Sequence, residues 1–295
     1  MRIGILSLSN RLYATRRLIE AVNSLGHQAV WLNTLACSML IENGRSKLLH
    51  GTEVLEELDV VIPRVGRTLG EYGVAVVRQL EAMGVPVLNS SKAIATAHNK
   101  FGCLQLLAQH GIQVPNTLFS RSPAIVNSLL DHLGGLPVVL KMLEGSQGVG
   151  VVLANNRQVI SSVLDLLWGL GKEVQVQEFV EESGGSDIRI LVLGGRVVAA
   201  MKRTARPGDF RSNVHRGGSG RPYKLGEQEK RVAVNAAKVV GLELAGVDIL
   251  PSRKGPLVVE VNASPGFEEL ERITQLDIAK KIVVHTVKSF QDIQK

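Results

Sequence analysis

Apolar and polar positions follow two periods along this chain, that of a strand and that of a helix, and the changeovers between them mark its elements. Residues 3–8 are mostly apolar and predict a strand; helical spacing follows over 13–25, and strand-like runs return at 29–32 and 60–63. A helix over 71–83 and a strand at 85–88 complete the first unit, with Gly26 and Gly84 standing where the helices should stop. This β-α-β rhythm predicts an open α/β unit with a parallel sheet over residues 1–91.

The pattern then changes. Residues 91–111 carry helical spacing, with Ser91 as the cap and Lys100 near the middle. Strands are predicted at 136–141 and 151–153, a helix at 158–170, and a strand at 173–180, where apolar and polar residues alternate. After a flexible connection at 181–186, a hairpin joins 187–192 to 197–203 through Gly194-Gly195. A helix over 227–240 leads to a second hairpin, and a helix over 267–290 closes the chain. Hairpins and helices in this order make the remainder α+β.

The second hairpin, residues 246–266, carries the most specific chemistry. In Val258-Val259-Glu260-Val261-Asn262 the period of two sends Glu260 and Asn262 to one face and Val259 and Val261 to the other. The linker Pro251-Ser252-Arg253-Lys254-Gly255-Pro256 has the composition of a tight turn, so the strands should pair antiparallel and bring Asp248 alongside. Two carboxylates and an amide carbonyl, without His or Cys, suit magnesium. Any one of these acids could be a solvated residue on a half-exposed hairpin. Three oxygen donors followed by the turn Ala263-Ser264-Pro265-Gly266 favour a metal site.

With 295 residues and 45% hydrophobic content, the chain is long enough for about two domains with real cores. No apolar run approaches the roughly 20 residues of a membrane span, and residues 3–8 are too short for a signal peptide. No membrane association and a cytoplasmic location are therefore expected. Cys37 and Cys103 lie far apart without metal-ligand spacing and read as reduced core residues. The net charge of +7 points to an anionic partner. Aromatic residues at 4% leave few stacking platforms, so direct nucleic-acid binding is not expected.

Other stretches bear on ligand binding. The turn after the first strand, Ser7-Leu8-Ser9-Asn10, lacks the G-x-G-x-x-G of a dinucleotide site. Arg64 ends the strand at 60–63, at the edge where open sheets present ligand contacts, although a surface arginine satisfies the sequence too. Lys141 ends a strand and precedes Glu144-Gly145-Ser146-Gln147-Gly148-Val149-Gly150, a glycine-rich loop that re-enters a strand instead of opening a helix as a P-loop does. Glycines let the backbone approach phosphates closely; a plain hairpin turn is the alternative. The loop at 206–220, containing Asp209-Phe210-Arg211-Ser212-Asn213-Val214-His215-Arg216-Gly217-Gly218, is dense in donors and could order around phosphate or be a surface loop. His98, His110 and His285 are isolated and expected to be structural.

Taken together, Lys100, Lys141 with its glycine loop, Gln177-Glu178-Phe179, Asp187, Arg211-Ser212-Asn213 and Asp248…Glu260-x-Asn262 resemble the ATP-grasp family over nearly the whole chain. The glycine loop, the Arg211 loop and Glu260-Val261-Asn262-Ala263-Ser264-Pro265-Gly266 resemble the RimK-type enzymes within it, which join L-glutamate to the C-terminus of a small-subunit ribosomal protein. One departure is Asn99-Lys100, where that group has Asp-Lys. The resemblance implies an ATP-grasp fold preceded by the open parallel-sheet domain, divided as 1–91, a first lobe at 92–176 with the glycine loop, a second lobe at 177–290 with the metal site, and a tail at 291–295.

It also implies ATP between the lobes. Lys100 and Lys141 would meet its phosphates, with Gly145, Ser146, Gln147, Gly148 and Ser212 also binding the nucleotide; the Glu178-Phe179 backbone would meet the adenine and Asp187 the ribose; and Arg203, Arg211 and Asn213 the transferred phosphoryl group and the acyl phosphate. Mg2+ or Mn2+, as two ions, would sit on Asp248, Glu260 and Asn262, and the assembly would be a homotetramer. The reaction so implied makes an acyl phosphate from a carboxylate and ATP, then an amide from the amine of L-glutamate, with 145–150 and 208–220 as closing loops. Two other readings stand beside it: a related ligase for another peptide, carrier-protein or small-molecule carboxylate, and an ATP-binding module without turnover. The positive net charge favours an acidic peptide tail.

Overall fold

The computed structural model describes residues 1–143, 150–212 and 217–291. The apolar opening forms strand β1 (Arg2–Ser7), buried along nearly its whole length, followed by helix α1 (Tyr13–Ser24) and strand β2 (Gln28–Asn33). The chain then makes an antiparallel sheet that the periodicity did not announce: β3 (Cys37–Glu42), β4 (Arg45–His50) and β5 (Glu53–Val54). Asn43 and Gly44, at φ 50° and 73°, supply its first turn. Asn-Gly is the strongest short hairpin signal because both central residues need positive φ, so the cue was present.

Strand β6 (Val60–Pro63) returns to the first sheet, whose parallel order is β2-β1-β6, and helix α2 (Gly70–Ala82) follows. Gly26 and Gly84 stand just past the ends of α1 and α2 at φ 76° and 80°. Residues 85–88 do not form the expected strand; they make a single parallel bridge, Val61 to Val87, and Pro86 has no N–H with which to extend it.

The expected helix at 91–111 is two helices, α3 (Ser91–His98) and α4 (Lys100–Gln109). The break is Asn99, whose side chain accepts from Gly102 N at 2.9 Å and caps α4. The cap of α3 is Ser90, not Ser91, with Ala93 N as donor at 3.2 Å. Lys100 therefore opens a helix instead of sitting mid-helix.

Next come β7 (Thr117–Phe119), α5 (Pro123–Ser128), β8 (Val138–Met142), β9 (Val151–Ala154), α6 (Arg157–Gly169) and β10 (Val174–Glu178). They make a four-stranded sheet, β7-β10-β8-β9, whose buried residues Val138, Leu140, Val174 and Val176 pack with Val126, Ile160 and Leu164 of α5 and α6.

The last sheet contains β11 (Ser186–Leu193), β12 (Arg196–Thr204) and β13 (Ser219–Pro222), then helix α7 (Glu227–Val240), then β14 (Leu244–Leu250) and β15 (Leu257–Asn262), in the order β13-β12-β11-β14-β15. Ile188, Ile190 and Val192 share a core with Ala233, Ala236 and Ala237 of α7. The alternate residues Leu191 and Leu193 belong to a second core. That core also takes in β1, α1 and the two closing helices, α8 (Glu268–Thr274) and α9 (Ile278–Gln291).

The expected single helix at 267–290 is thus divided. Gln275, at φ 57°, ends α8, and the buried Glu271 carboxylate accepts from Ile278 N and Ala279 N at 2.8 and 3.0 Å, starting α9. Among the described residues no helix is long and apolar enough to cross a membrane.

Candidate active site

Charge on one face of the five-stranded sheet follows from its register. Asp187 and Arg189 lie two apart on β11 and so point the same way. Asp187 stands opposite Arg203 on β12, Arg189 opposite Asp248 on β14, and Asp248 opposite Glu260 on β15. Opposite charges facing each other across strands attract. Arg189 grips Asp248 with two bonds, Nε to Oδ1 at 2.8 Å and Nη2 to Oδ2 at 2.7 Å. Arg203 donates to both oxygens of Asp187, Nε to Oδ1 at 2.7 Å, and its Nη2 lies 3.0 Å from Asp248 Oδ2.

These pairs set the protonation states. Burial by itself favours neutral Asp248, but Arg189 and Arg203 outweigh it and hold the carboxyl down at about 2. Burial likewise opposes the Arg203 charge, and Asp248 and Asp187 override it, pushing its pKa up. Burial also works against ionised Glu260, yet Arg67, with Nη2 2.6 Å from Oε1, keeps that carboxyl below its ordinary value.

Asn262 stands opposite Gly246, and its amide nitrogen lies 3.4 Å from Gly246 O, which leaves its carbonyl oxygen for a cation. The register shifts after Asp248, with Val259 as the extra residue of β15. Val258 and Val261 are therefore buried in the core while Val259 lines the cavity, a correction to the simple alternation that placed Val259 with Val261. Among the described residues no group of three or more His, Cys, Asp or Glu converges; the donor set is two carboxylates and one amide. Hard oxygen donors of this kind fit a magnesium ion with open positions for substrate.

The two lysines approach from the other sheet and helix. Lys100 Nζ donates to Met142 O at 2.9 Å, and Lys141 Nζ to Gln177 Oε1 at 2.5 Å. Burial pushes both amines down to about 8, with Glu260 opposing the shift in each case. Glu178 is tied through its carboxylate to Asn116 N and Nδ2 at 3.0 and 2.9 Å. Phe179 meets Phe210 edge-on at 6.3 Å. Arg211 lies over the Phe210 ring and pairs with Asp209 at 3.0 and 2.9 Å; those bonds hold the Asp209 carboxyl well below the usual range.

One cavity of about 840 Å³ is lined by Lys100, Lys141, Glu178, Phe179, Asp187, Arg203, Arg211, Ser212, Asp248, Glu260 and Asn262. Gly145, Ser146, Gln147, Gly148 and Asn213 lie outside the described residues. Asp187, expected near a ribose, has both carboxylate oxygens engaged by Arg203. Sequence reasoning missed Arg67 and Arg189. The signal for Arg189 was its place two residues after Asp187, on the same strand face. Arg67 carried a weaker one, lying just past Gly66 at the carboxyl end of β6.

Cys37, His110 and His285 are not among the residues that line this cavity. Cys37 and Cys103 are buried thiols, which burial pushes up to about 11 and 12. His110 Nδ1 lies 2.9 Å from Leu106 O, and His285 Nε2 lies 3.3 Å from Glu243. His98 and Cys103 do line the cavity, and burial lowers the pKa of His98.

A RimK-like ATP-grasp domain family matches residues 97–286, and a RimK PreATP-grasp domain family matches residues 1–94. The chain is 47% identical over 289 residues to the "Probable alpha-L-glutamate ligase 2" of Pseudoalteromonas atlantica, covering 98% of this chain and 96% of that protein. It is 50% identical over 283 residues to the "Probable alpha-L-glutamate ligase" of Thioalkalivibrio sulfidiphilus, covering 96% and 94%. Among solved structures, the ATP-grasp ligase PsnB, complexed with a phosphomimetic variant of its minimal precursor, Mg and ADP, superposes with a TM-score of 0.73. That match has 20% identity and covers 97% of each chain, which supports the fold.

Proposed function

This chain belongs to the RimK-like ATP-grasp family and is an ATP-dependent ligase, and from that premise we propose that it adds L-glutamate to the C-terminal carboxylate of a small-subunit ribosomal protein. The observation that carries the chemistry is one cavity lined both by two lysines of lowered pKa and by Asp248, Glu260 and Asn262. The names borne by the relatives support glutamate as the donor, and the net charge of +7 supports an acidic peptide tail as the acceptor.

An ionised carboxylate resists attack by an amine, so the acceptor must first gain a leaving group. Its oxygen takes the γ-phosphoryl of ATP, ADP departs, and an acyl phosphate remains. The amine of glutamate then attacks the acyl carbon, gives up a proton, and inorganic phosphate leaves as the amide forms. Lys100 and Lys141 hold the phosphate oxygens by charge, and Arg203 and Arg211 face the transferred group, Arg211 by exchanging its bond to Asp209. Glu178 and Phe179 border the base of the nucleotide, and Asp187 keeps Arg203 oriented. Magnesium, held by Asp248, Glu260 and Asn262, supplies charge neutralisation on the phosphates when bound. Asp248 pairs with Arg189 and Arg203, and Glu260 with Arg67, which keeps both carboxylates ionised.

Mass spectrometry of candidate acceptor peptides after incubation with ATP, magnesium and each amino acid tests this reading, since the mass increment names the donor. A glutamate increment on a ribosomal-protein tail is expected; ADP release with no modified acceptor among peptides, carrier proteins or small carboxylates would overturn it. The same reading implies a homotetramer, which light scattering of the purified protein measures.

A further inference from the structure

The cavity wall carries six arginines: Arg64, Arg67, Arg189, Arg203, Arg211 and Arg272. Five of them have carboxylate partners. Arg64 forms no ion pair among the described residues. Its Nη2 donates to Pro265 O at 2.7 Å and its guanidinium lies 5.7 Å from the centre of the Phe267 ring, which fix its plane. Its Nη1 is buried and has no hydrogen-bond partner among the described residues. A buried, unsatisfied charged donor costs free energy unless a ligand completes it.

The position is that of a ligand contact. Arg64 follows the last residue of β6, at the carboxyl edge of the parallel sheet, where open α/β sheets bind ligands. Its carbonyl partner Pro265 lies in the turn just beyond Asn262, so the guanidinium is anchored beside the donor trio without touching it. Burial alone pushes its pKa down to about 10, whereas the charge on Lys100 is shaped by Glu260 and Arg67 as well. Arg64 is thus fixed by a backbone carbonyl and an aromatic face, with no carboxylate partner among the described residues, and an anion would complete it.

We propose that Arg64 docks a carboxylate of the incoming amino acid, one that the ligation does not consume. The inference rests on the ligase reading above. In that reaction the donor reacts through its amine and keeps every carboxylate, so a fixed guanidinium gripping one of them turns the amine toward the acyl carbon. The planar fork of Arg64, with one edge held and Nη1 free, matches a carboxylate oxygen. The α-carboxylate and the side-chain carboxylate of glutamate share this chemistry, and the test separates them.

The experiment compares the wild-type protein with Arg64→Gln and Arg64→Lys, measuring ADP release and amide formation with ATP, magnesium, an accepted peptide and a panel of amino acids. The panel includes glutamate, glutamine and glutamate α-amide. Arg64→Gln is expected to raise KM for the amino acid by about 10- to 100-fold while KM for ATP stays within about two-fold. Arg64→Lys, which keeps the charge, should fall between, and it carries the test if the glutamine variant does not fold. Arg64→Gln should also lose the preference for glutamate over one of the two amides, and that amide names the docked carboxylate. An unchanged KM for the amino acid, or a rise confined to ATP or to the acceptor peptide, overturns the assignment while leaving the ligase reading intact. If the wild-type protein prefers another amino acid, the glutamate reading fails and Arg64 is judged on that donor's α-carboxylate. If no amino acid is ligated, both fall.

Discussion

Arg67 and Glu260 meet at 2.6 Å, joining the segment that leaves the parallel sheet to the last strand of the five-stranded sheet. One residue comes from the first quarter of the chain and the other from its final sixth, and neither is fully exposed: their side chains are 12% and 30% accessible. The pair holds a carboxylate of the cavity lining ionised, and it is this carboxylate that a divalent cation would share.

Glu260→Gln tests that role. It keeps the shape, removes one of two carboxylates from the donor set and leaves Arg67 without its partner. Ligation should fall by roughly 10²- to 10³-fold. Stability should fall by about 1–2 kcal/mol, less than for a fully buried pair because solvent screens it. ADP release and denaturant unfolding measure the two effects, and amide formation at the wild-type rate would rule out a metal role for this residue.

Nucleotide binding should take up protons near pH 8. Lys100 and Lys141 have pKa values lowered from 10.5 to about 8, so each is about half protonated there before ligand arrives. An anionic phosphate favours the charged form and draws protons from the buffer. The same downward shift means that the charged amines oppose folding below about pH 8, and the opposition is relieved between about 8 and 10.5. Calorimetry with ADP in buffers of different ionisation enthalpy reads the uptake; proton release at pH 8 would contradict the placement of the lysines on the phosphates.

Asn99 positions Lys100 by capping the helix that it opens. Asn99→Ala removes the bond from Gly102 N and should cost about 1 kcal/mol, with a several-fold rise in KM for ATP. Asn99→Asp keeps the cap and adds a favourable charge at the helix start, so its stability should match or exceed wild type by a few tenths of a kcal/mol. Thermal unfolding of the two variants distinguishes a cap from a bystander: equal melting temperatures would dismiss the cap.

Asn89 is a buried polar clamp. Its Nδ2 donates to Leu244 O and Ala263 O at 2.8 and 3.0 Å, and its Oδ1 accepts from Glu243 N and Leu244 N at 2.8 and 3.0 Å. Asn89→Leu fits the volume but strands four backbone groups at 3% exposure, and should cost about 2–4 kcal/mol. Since Ala263 follows Asn262 of the candidate donor trio, activity measured well below the melting temperature should fall as well. A stability change under about 0.5 kcal/mol would show that water replaces the clamp.

Much of the fold was written in short-range pattern. The strands at 60–63 and 187–192 and the helices at 13–25 and 227–240 are amphipathic or apolar over a full element, and their local preference agrees with where they pack. Breaks were harder to see. Asn99 and Gln275 interrupt helical spacing that continues on both sides, so the break depends on a side-chain cap and on one positive φ, neither of which changes the periodicity. The β3–β4 hairpin was missed for the opposite reason: its Asn43-Gly44 turn is a clear local signal, but its strands carry partly exposed, mixed residues that blur the alternation.

Asp248, Glu260 and Asn262 could be brought together from sequence because a hairpin is local: a turn and a period of two place three side chains without help from elsewhere. The partners of those side chains could not. Arg67, Arg189 and Arg203 reach them from segments that are remote along the chain, and which guanidinium meets which carboxylate depends on sheet order and on long-range register. Sequence by itself determined that Asp248, Glu260 and Asn262 share one hairpin, and what oxygen chemistry they would offer. Tertiary structure alone decided their charge state and left Arg64 without a carboxylate among the described residues, because Coulomb interactions and burial depend on distances that no local pattern encodes.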